Sequence, residues 1–576
     1  MATSDASSPE ATTGTAPTAR QQDFFGHPRG LSTLFFTELW ERFSYYGMRA
    51  LLVLYMTAAA TGVANPGLGL DKGTASAVYG LYTFFVYVLA LPGGWVADNI
   101  WGQRRAVFRG GCIIAAGHFS MAMPMFGLPE AMFFYLGLAL IVIGTGLLKP
   151  NVSTMVGDLY PEGGARSDAG FSIFYMGINF GAILGPTLCS ILGEGYSWHW
   201  GFSLAGFGMV AGLVSYQLGR EYLEGVGALD VDDAAVVERQ TRTFYVVAAA
   251  AVGLVLLIGG LMNAGILGLS LEQLAGSLGG VTVAITIAFF GYIIFFGGHT
   301  TEEQKRLGVI FWLFILAALF WSGFEQAGSS LNLFAKELTD RTFGPYGLLQ
   351  RTTSVLPMIL LAVPVGYVCY RVFRRNDLWS VGKIGVGVLA ALIVGFTGWV
   401  SFQMTSGWTM PASMLQNINP FFIVVLAPLF GATWTWLAQR DANPSIPVKF
   451  ALGLFGLGGG FFVISWGAAN ASAGDPVTPV WLVVTYFLHT CGELCLSPVG
   501  LSSMTKLAPE DRVGQMMGIW FVAAALGNLF AGLIAGQLEA LPPSSLFWTV
   551  ALIVGGGGVV ALLAAPPVRR LMGEVE

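Results

Sequence analysis

Glu38-Leu-Trp-Glu41-Arg42-Phe-Ser-Tyr45-Tyr46-Gly-Met-Arg49 puts four charges and two phenols into a segment otherwise apolar enough to lie in a membrane. At 3.6 residues per turn, positions 38, 41, 42, 45, 46 and 49 are i, i+3, i+4, i+7, i+8 and i+11, so all six share one helix face. The opposite face carries Leu34, Phe35, Phe36, Leu39, Phe43, Leu51, Leu52 and Leu54. A charged residue at the centre of a membrane helix costs about 2.5–3.5 kcal/mol on an insertion scale, so four left unpaired would approach roughly 10 kcal/mol. Such a stripe makes sense facing a watery cavity lined by partners, which is the interior of a transporter; the plainer alternative is that Arg42 pairs with Glu38 or Glu41 one turn away and leaves the stripe inert.

The composition agrees. The 576 residues are 55% hydrophobic and 11% charged, with a mean hydropathy of +0.67. Soluble domains average about 25% charged residues, so the chain reads as an all-α polytopic membrane protein. Its 78 glycines suit close helix packing in lipid. No basic patch interleaved with aromatics points to nucleic acid. The five cysteines (Cys112, Cys189, Cys369, Cys491, Cys495) form no CxxC pair, and Cys491 and Cys495 beside His489 read as small packing residues on a helix. Scattered histidines (His27, His118, His199, His299, His489) give neither a metal cluster nor a nucleophile with its base, so an enzyme, a metal site and a cofactor are not expected. The Ala/Ser/Thr/Pro-rich start lacks a basic region followed by an apolar run, so residues 1–30 are expected to form a disordered tail and not a signal peptide.

About 20 apolar residues cross the hydrocarbon. That rule predicts about sixteen helices, near 31–58, 74–100, 106–126, 131–155, 169–192, 199–219, 244–267, 279–297, 309–335, 348–370, 380–404, 413–438, 446–468, 479–504, 513–538 and 545–565. With the N-terminus inside, 21 of the 28 Lys and Arg fall in cytoplasmic segments and only Lys72, Lys336, Arg341 and Arg351 outside. Arg42, Arg49 and Lys149 are left within spans. The positive-inside rule therefore predicts both termini in the cytoplasm. The longest polar connection, 220–243, separates the first six spans from the rest. The pairs at 244–297 and 348–404 hold no intramembrane charge and read as scaffolding.

Other charges and amides lie deep in spans. Gly144-Thr-Gly146-Leu-Leu-Lys149-Pro150-Asn151 buries a lysine just before a proline that frees the Gly146 carbonyl and lets the helix bend. That lysine deprotonates, finds an acid or snorkels to the interface. Asn179, in Phe171–Gly181, is open to two readings: recognition of an amine or amide, or interhelix packing between Gly177 and Gly181. Glu325, in Phe320-Trp321-Ser-Gly-Phe-Glu325-Gln326-Ala-Gly-Ser329-Ser330, has no basic residue within two turns. Asn419 precedes Pro420, and Glu493 is a second lone acid, five residues before Pro498. Two unpartnered acids in the second half thus face two unpartnered cations, Arg49 and Lys149, in the first. Salt bridges between the halves that form and break are the expectation.

Between the second and third spans, Gly93-Gly94-Trp-Val-Ala-Asp98-Asn-Ile-Trp-Gly102-Gln-Arg104-Arg105 resembles the loop signature of the major facilitator superfamily; a positive-inside anchor with a capping Asp is the plainer alternative. Three further stretches resemble the proton-dependent oligopeptide transporter (POT/PTR) branch of that superfamily: E-x-x-E-R-F-x-Y-Y at Glu38–Tyr46, F-x-x-F-Y-x-x-I-N-x-G at Phe171–Gly181, and G-E-L-x-L-S-P-V-G around Glu493. The resemblance implies two six-helix bundles plus extra helix pairs: a first bundle over 31–219, a linker with its own pair over 220–306, a second bundle over 307–565 with an inserted hairpin near 348–404, and a tail from 566 to 576. The 348–404 hairpin departs from the usual fourteen-helix plan.

The resemblance also implies a proton-coupled symporter that imports di- and tripeptides across a bacterial inner membrane. In that reading Glu38, Glu41, Arg42, Lys149 and Glu325 couple protons. Arg49 and Lys149 attract the peptide carboxylate, and Asn179, Asn419 and Glu493 hold its amino group. Tyr45, Tyr46 and Tyr87 line side-chain pockets, with Trp321, Gln326, Ser330 and Trp520 as walls. Arg49 with Glu325 closes the outer gate and Lys149 with Glu493 the inner one. The alternative is a facilitator carrier for another small solute, a nitrate-like anion or a drug. Plant relatives that carry nitrate lose part of the E-x-x-E-R-F pattern, which this chain keeps.

Overall fold

Helix boundaries in the computed structural model follow local capping chemistry at several starts. Residues 24–344, 398 and 407–573 are described, apart from Asp230, Asp232 and Ala473. Fourteen long helices alternate in direction: α1 Arg29–Thr57, α2 Lys72–Trp101, α3 Gln103–Phe126, α4 Glu130–Asp158, α5 Gly164–Gly195, α6 Trp198–Leu218, α7 Ala234–Asn263, α8 Leu271–Phe296, α9 Thr301–Glu337, α10 Ala412–Ala438, α11 Ile446–Ala469, α12 Val480–Leu507, α13 Glu510–Glu539 and α14 Pro543–Met572. Thirteen are long and apolar enough to cross a membrane on composition alone, and α1 joins them despite its charges. About sixteen were expected; the remaining two, at 348–370 and 380–404, lie outside the described residues.

Side-chain caps set several starts. Asp71 accepts from the Thr74 amide at α2. Ser270 with Gln273, and Thr300 with Glu303, form capping boxes at α8 and α9. At two points the folded structure reaches further than the sequence suggests. Residues 24–30 belong to the fold and not to a loose tail: Phe24 is buried, its ring 5.8 Å from that of Phe35, and His27 bonds the Tyr160 hydroxyl at 2.8 Å. Burial, aided by Arg166, holds the His27 imidazole below its usual range. α14 runs through Pro566 and Pro567 to Met572, with Arg569 and Arg570 in its last turn favouring the negative end of the helix dipole.

The chain has a major facilitator architecture. α1 to α6 pack as one group and α9 to α14 as another. α7 and α8 stand outside both: the most apolar stretch of α7 has none of its residues buried, and α8 leans on α2 and α13. Between α9 and α10 a two-stranded antiparallel ribbon, β1 Thr342–Phe343 with β2 Trp408–Thr409, pairs Thr342 with Thr409.

The two groups meet mainly along α2 and α13, and also where α1 crosses α9 and α5 crosses α10. Glycine makes the first seam possible: a Cβ on Gly532 would come within 2.7 Å of the Gly80 Cα. α4, which carries Lys149, makes no substantial contact with any helix of the second group among the described residues. The halves are thus joined at the end away from the chain termini, called the far end below, and spread towards the terminal end. Overpacking a close seam costs about 1–3 kcal/mol or more. Gly532→Leu is therefore expected to lower the thermal midpoint of the purified protein by several degrees, whereas Gly556→Leu, at an open position on α14, should leave the midpoint within about a degree or two on the same physical grounds.

Candidate functional site

Four breaks in helical regularity aim polar groups between the halves. Pro150 frees the Gly146 carbonyl in α4, and Gly93 of α2 lies so close to it that no Cβ would fit. Asn151 donates its amide to Leu147 O at 2.7 Å and reaches Gly93 O at 3.4 Å. α9 breaks into a 3-10 turn at Glu325–Gly328, α10 begins with one at Ala412–Asn417, and Pro498 interrupts α12 five residues after Glu493.

All of the α1 stripe except Tyr46, which is half-buried, lies inside the protein. Arg42 Nε donates to Glu38 Oε1 at 2.7 Å. A Glu41 oxygen sits 2.8 Å from the same nitrogen but off the N–H direction, an ionic contact and not a hydrogen bond. Two carboxylates thus share one guanidinium. Their remaining oxygens, Glu38 Oε2 and Glu41 Oε1, have no hydrogen-bond partner among the described residues. Lys149 lies within electrostatic range of all three groups.

Two turns further along α1, Arg49 spans the two halves. Its Nη2 pairs with Glu325 Oε2, and its Nε donates to the Tyr79 hydroxyl at 2.6 Å. The rings of Tyr45, Tyr46 and Tyr79 surround the guanidinium with centroids 5.7–6.0 Å away. Tyr79 in turn presses on Gly328, where no side chain could fit. Asn332, just beyond the α9 break, donates to Ala50 O at 2.8 Å across the same seam.

Lys149 and Glu493 behave differently. Both are half-buried, and no carboxylate lies within ion-pair distance of Lys149 among the described residues. The ammonium instead sits 4.1 Å from the Tyr87 ring centroid, a cation–π contact. Asn419 donates to Glu493 Oε2 and to Thr490 Oγ1, each at 3.0 Å. The pair expected between Lys149 and Glu493 is therefore not formed here, because the helices that carry them stand apart at the terminal end.

Asn179 is buried and donates to the Tyr175 carbonyl at 2.9 Å. Gln326 accepts from Ser330 at 2.7 Å, so these two bond each other within α9. Trp321 packs on Gly527 with its indole N–H unpartnered, and Trp520 packs against Gly500 and Phe450. Sequence reasoning missed Tyr79 and Thr490. Tyr79, Tyr82 and Tyr87 follow i, i+3, i+8 spacing on α2, which would have flagged the first.

Comparison with known proteins settles the family. The POT family (PTR2) profile matches residues 104–400 and 390–548. The chain belongs to the POT family. A POT relative named "Peptide transporter YePEPT", from Yersinia enterocolitica subsp. palearctica, is 37% identical, with 96% of this chain and 97% of that one covered. A "Di-/tripeptide transporter" from Lactococcus lactis subsp. cremoris is 33% identical over 96% of this chain and 98% of its own. A crystal structure of a peptide transporter POT in complex with sulfate superposes with a TM-score of 0.77 at 36% identity, covering 96% and 97% of the two chains. This POT protein is accordingly a multi-pass membrane transporter and not an enzyme.

Removing one member of a buried ion pair costs about 3–5 kcal/mol because the other is left uncompensated. Arg49→Ala and Glu325→Ala are each expected to destabilise the protein on that scale in detergent unfolding. The double variant should cost less than their sum, by roughly 0.5–3 kcal/mol of coupling. Strict additivity would show that the two charges do not interact.

Proposed function

We propose that this POT transporter imports di- and tripeptides together with protons by alternating access, and that the geometry described is its inward-open state. The observation that carries this reading is an asymmetry. Arg49 and Glu325 are paired across the halves while Lys149 and Glu493 stay apart. The basic-residue distribution supports a far end facing outward and termini in the cytoplasm, in a bacterial inner membrane.

A short peptide is a zwitterion, and each end needs an opposite charge before it can leave water. Arg49 and Lys149 form a cationic pole for the carboxylate. Glu493, with Asn419 and Asn179, forms the pole for the amino group. Recognition through the two ends tolerates varied side chains, which the aromatic faces of Tyr45, Tyr46, Tyr87, Trp321 and Trp520 would accept, with Gln326 and Ser330 behind them. It also rejects longer chains, whose ends cannot reach both poles. The relatives named as peptide transporters support this choice of solute.

Proton coupling follows from the same charges. With Glu325 ionised, its bridge to Arg49 favours a closed far end. A proton delivered from outside neutralises Glu325, frees Arg49 for the incoming carboxylate and permits opening. When the peptide leaves towards the cytoplasm, Glu325 loses its proton and the bridge re-forms. Glu38 and Glu41, two acids sharing Arg42, supply a second place where a proton relieves an excess of negative charge, with Lys149 opposite.

Uptake of labelled dialanine into proteoliposomes under an imposed proton gradient tests the reading. Di- and tripeptides are expected to compete, while tetrapeptides, nitrate and a sugar should not. Competition by nitrate equal to that of dipeptides would favour an anion carrier. Glu325→Gln should lose uphill accumulation while retaining part of counterflow exchange; undiminished uphill uptake would remove Glu325 from the coupling.

A further inference from the structure

Where α5 crosses the start of α10, a second set of polar contacts joins the halves, independent of Arg49 and Glu325. Thr187, Ser190 and Glu194 follow i, i+3, i+7 spacing on one face of α5. Opposite them lies the 3-10 turn Ala412–Asn417 that opens α10. Asn417 donates its side-chain amide to Thr187 Oγ1 at 2.5 Å, and Ser413 bonds Ser190, hydroxyl to hydroxyl, at 2.6 Å.

Glu194 does most. Its Oε1 accepts from the Ser413 amide at 2.9 Å and from the Ser413 hydroxyl at 2.5 Å, while Oε2 accepts from the Ala412 amide at 3.1 Å. Lys336, at the end of α9, adds an ammonium 3.4 Å from Oε2. The Glu194 side chain is only 6% exposed, against 44% for Lys336. One carboxylate of the first half therefore caps the first turn of a helix of the second, satisfying two amides that α10 cannot satisfy within itself.

We propose that Glu194 is a far-end latch: its carboxylate holds α10 against α5 while the far end is closed, and every outward opening must break the set. The inference rests on the alternating-access reading above. A charge-assisted bond to a backbone amide is about twice as strong as a neutral one, and α10's amides gain no substitute cap from their own half, since Ser413 turns its hydroxyl to Ser190 and Glu194. The latch thus adds to the closed state without touching the peptide poles, which makes Glu194 a positioning residue for transport.

A disulfide between Ser190→Cys and Ser413→Cys, in a background whose five native cysteines are replaced, tests this. Under oxidant the cross-link should form and dialanine uptake should fall at least about tenfold, the equivalent of some 1.4 kcal/mol; reductant should restore it. Adding Glu194→Ala should slow cross-linking about tenfold on the same scale, because the closed state loses its cap. Full uptake by the cross-linked protein overturns the proposal, as does a cross-linking rate that Glu194→Ala leaves unchanged. No disulfide at all contradicts the contact itself. If the reduced protein carries no dialanine, the choice of solute has failed, while the cross-linking rates still decide the latch.

Discussion

A guanidinium and a carboxylate held out of water must each meet an opposite charge, and in this protein they meet across a division in the fold. Arg49 comes from α1 of the first half and Glu325 from the broken α9 of the second. Neither has another ion-pair partner among the described residues. The closed far end is thus set by a bond that the chain cannot satisfy locally. Because each desolvated charge is costly alone, the pair would act, in the proposed cycle, as a two-position switch and not a gradual hinge. The tyrosines around Arg49 and the bare surface of Gly328 keep that bond in a confined space where alternatives are few.

The same logic explains the opposite end. Lys149 and Glu493 are half-buried, so each retains water and tolerates separation. Lys149 rests on Tyr87, and Glu493 on the amide of Asn419. Neither contact matches an ion pair, and on the proposed function both groups would meet a solute that brings a carboxylate and an ammonium of its own. A glycine seam between α2 and α13 holds the halves in close contact, about which the proposed rocking would turn, and prolines in α4, α5, α10 and α12 let individual helices bend.

Much of this was legible in the residues. The i, i+3, i+4 rhythm of Glu38 to Arg49 revealed a polar face in an apolar helix, and hydropathy located each of the fourteen described spans. That Arg49 and Glu325 each need a partner from the other half is readable because neither has one on its own helix; that they pair with each other is what the family resemblance implies. Tyr79 was harder to see, since a tyrosine in an apolar helix reads as packing until the guanidinium it receives is known. The α5–α10 contacts were invisible for a different reason. Thr187 and Ser190 look like ordinary small interface residues, and Glu194 sits at a span end where acids are common. Their meaning depends on a helix start more than two hundred residues away in the chain. Residues 24–30 were misread because a polar, small-residue tail runs directly into Phe24, whose ring finds Phe35 only once α1 has formed.

In the proposed cycle, charges buried in separate halves exchange partners, so that one end closes as the other opens. Paired spin labels test it most directly, with one pair at the exposed far-end positions Tyr196 and Asp475 and another at the exposed terminal-end positions Glu162 and Asp511. Distances would be read with and without dialanine at neutral and acidic pH. The account predicts opposed changes, the far-end distance lengthening as the terminal-end distance shortens, and a Glu325→Gln protein already shifted towards the far-open distances without acid. Distances that stay fixed, or that lengthen together at both ends, would contradict it.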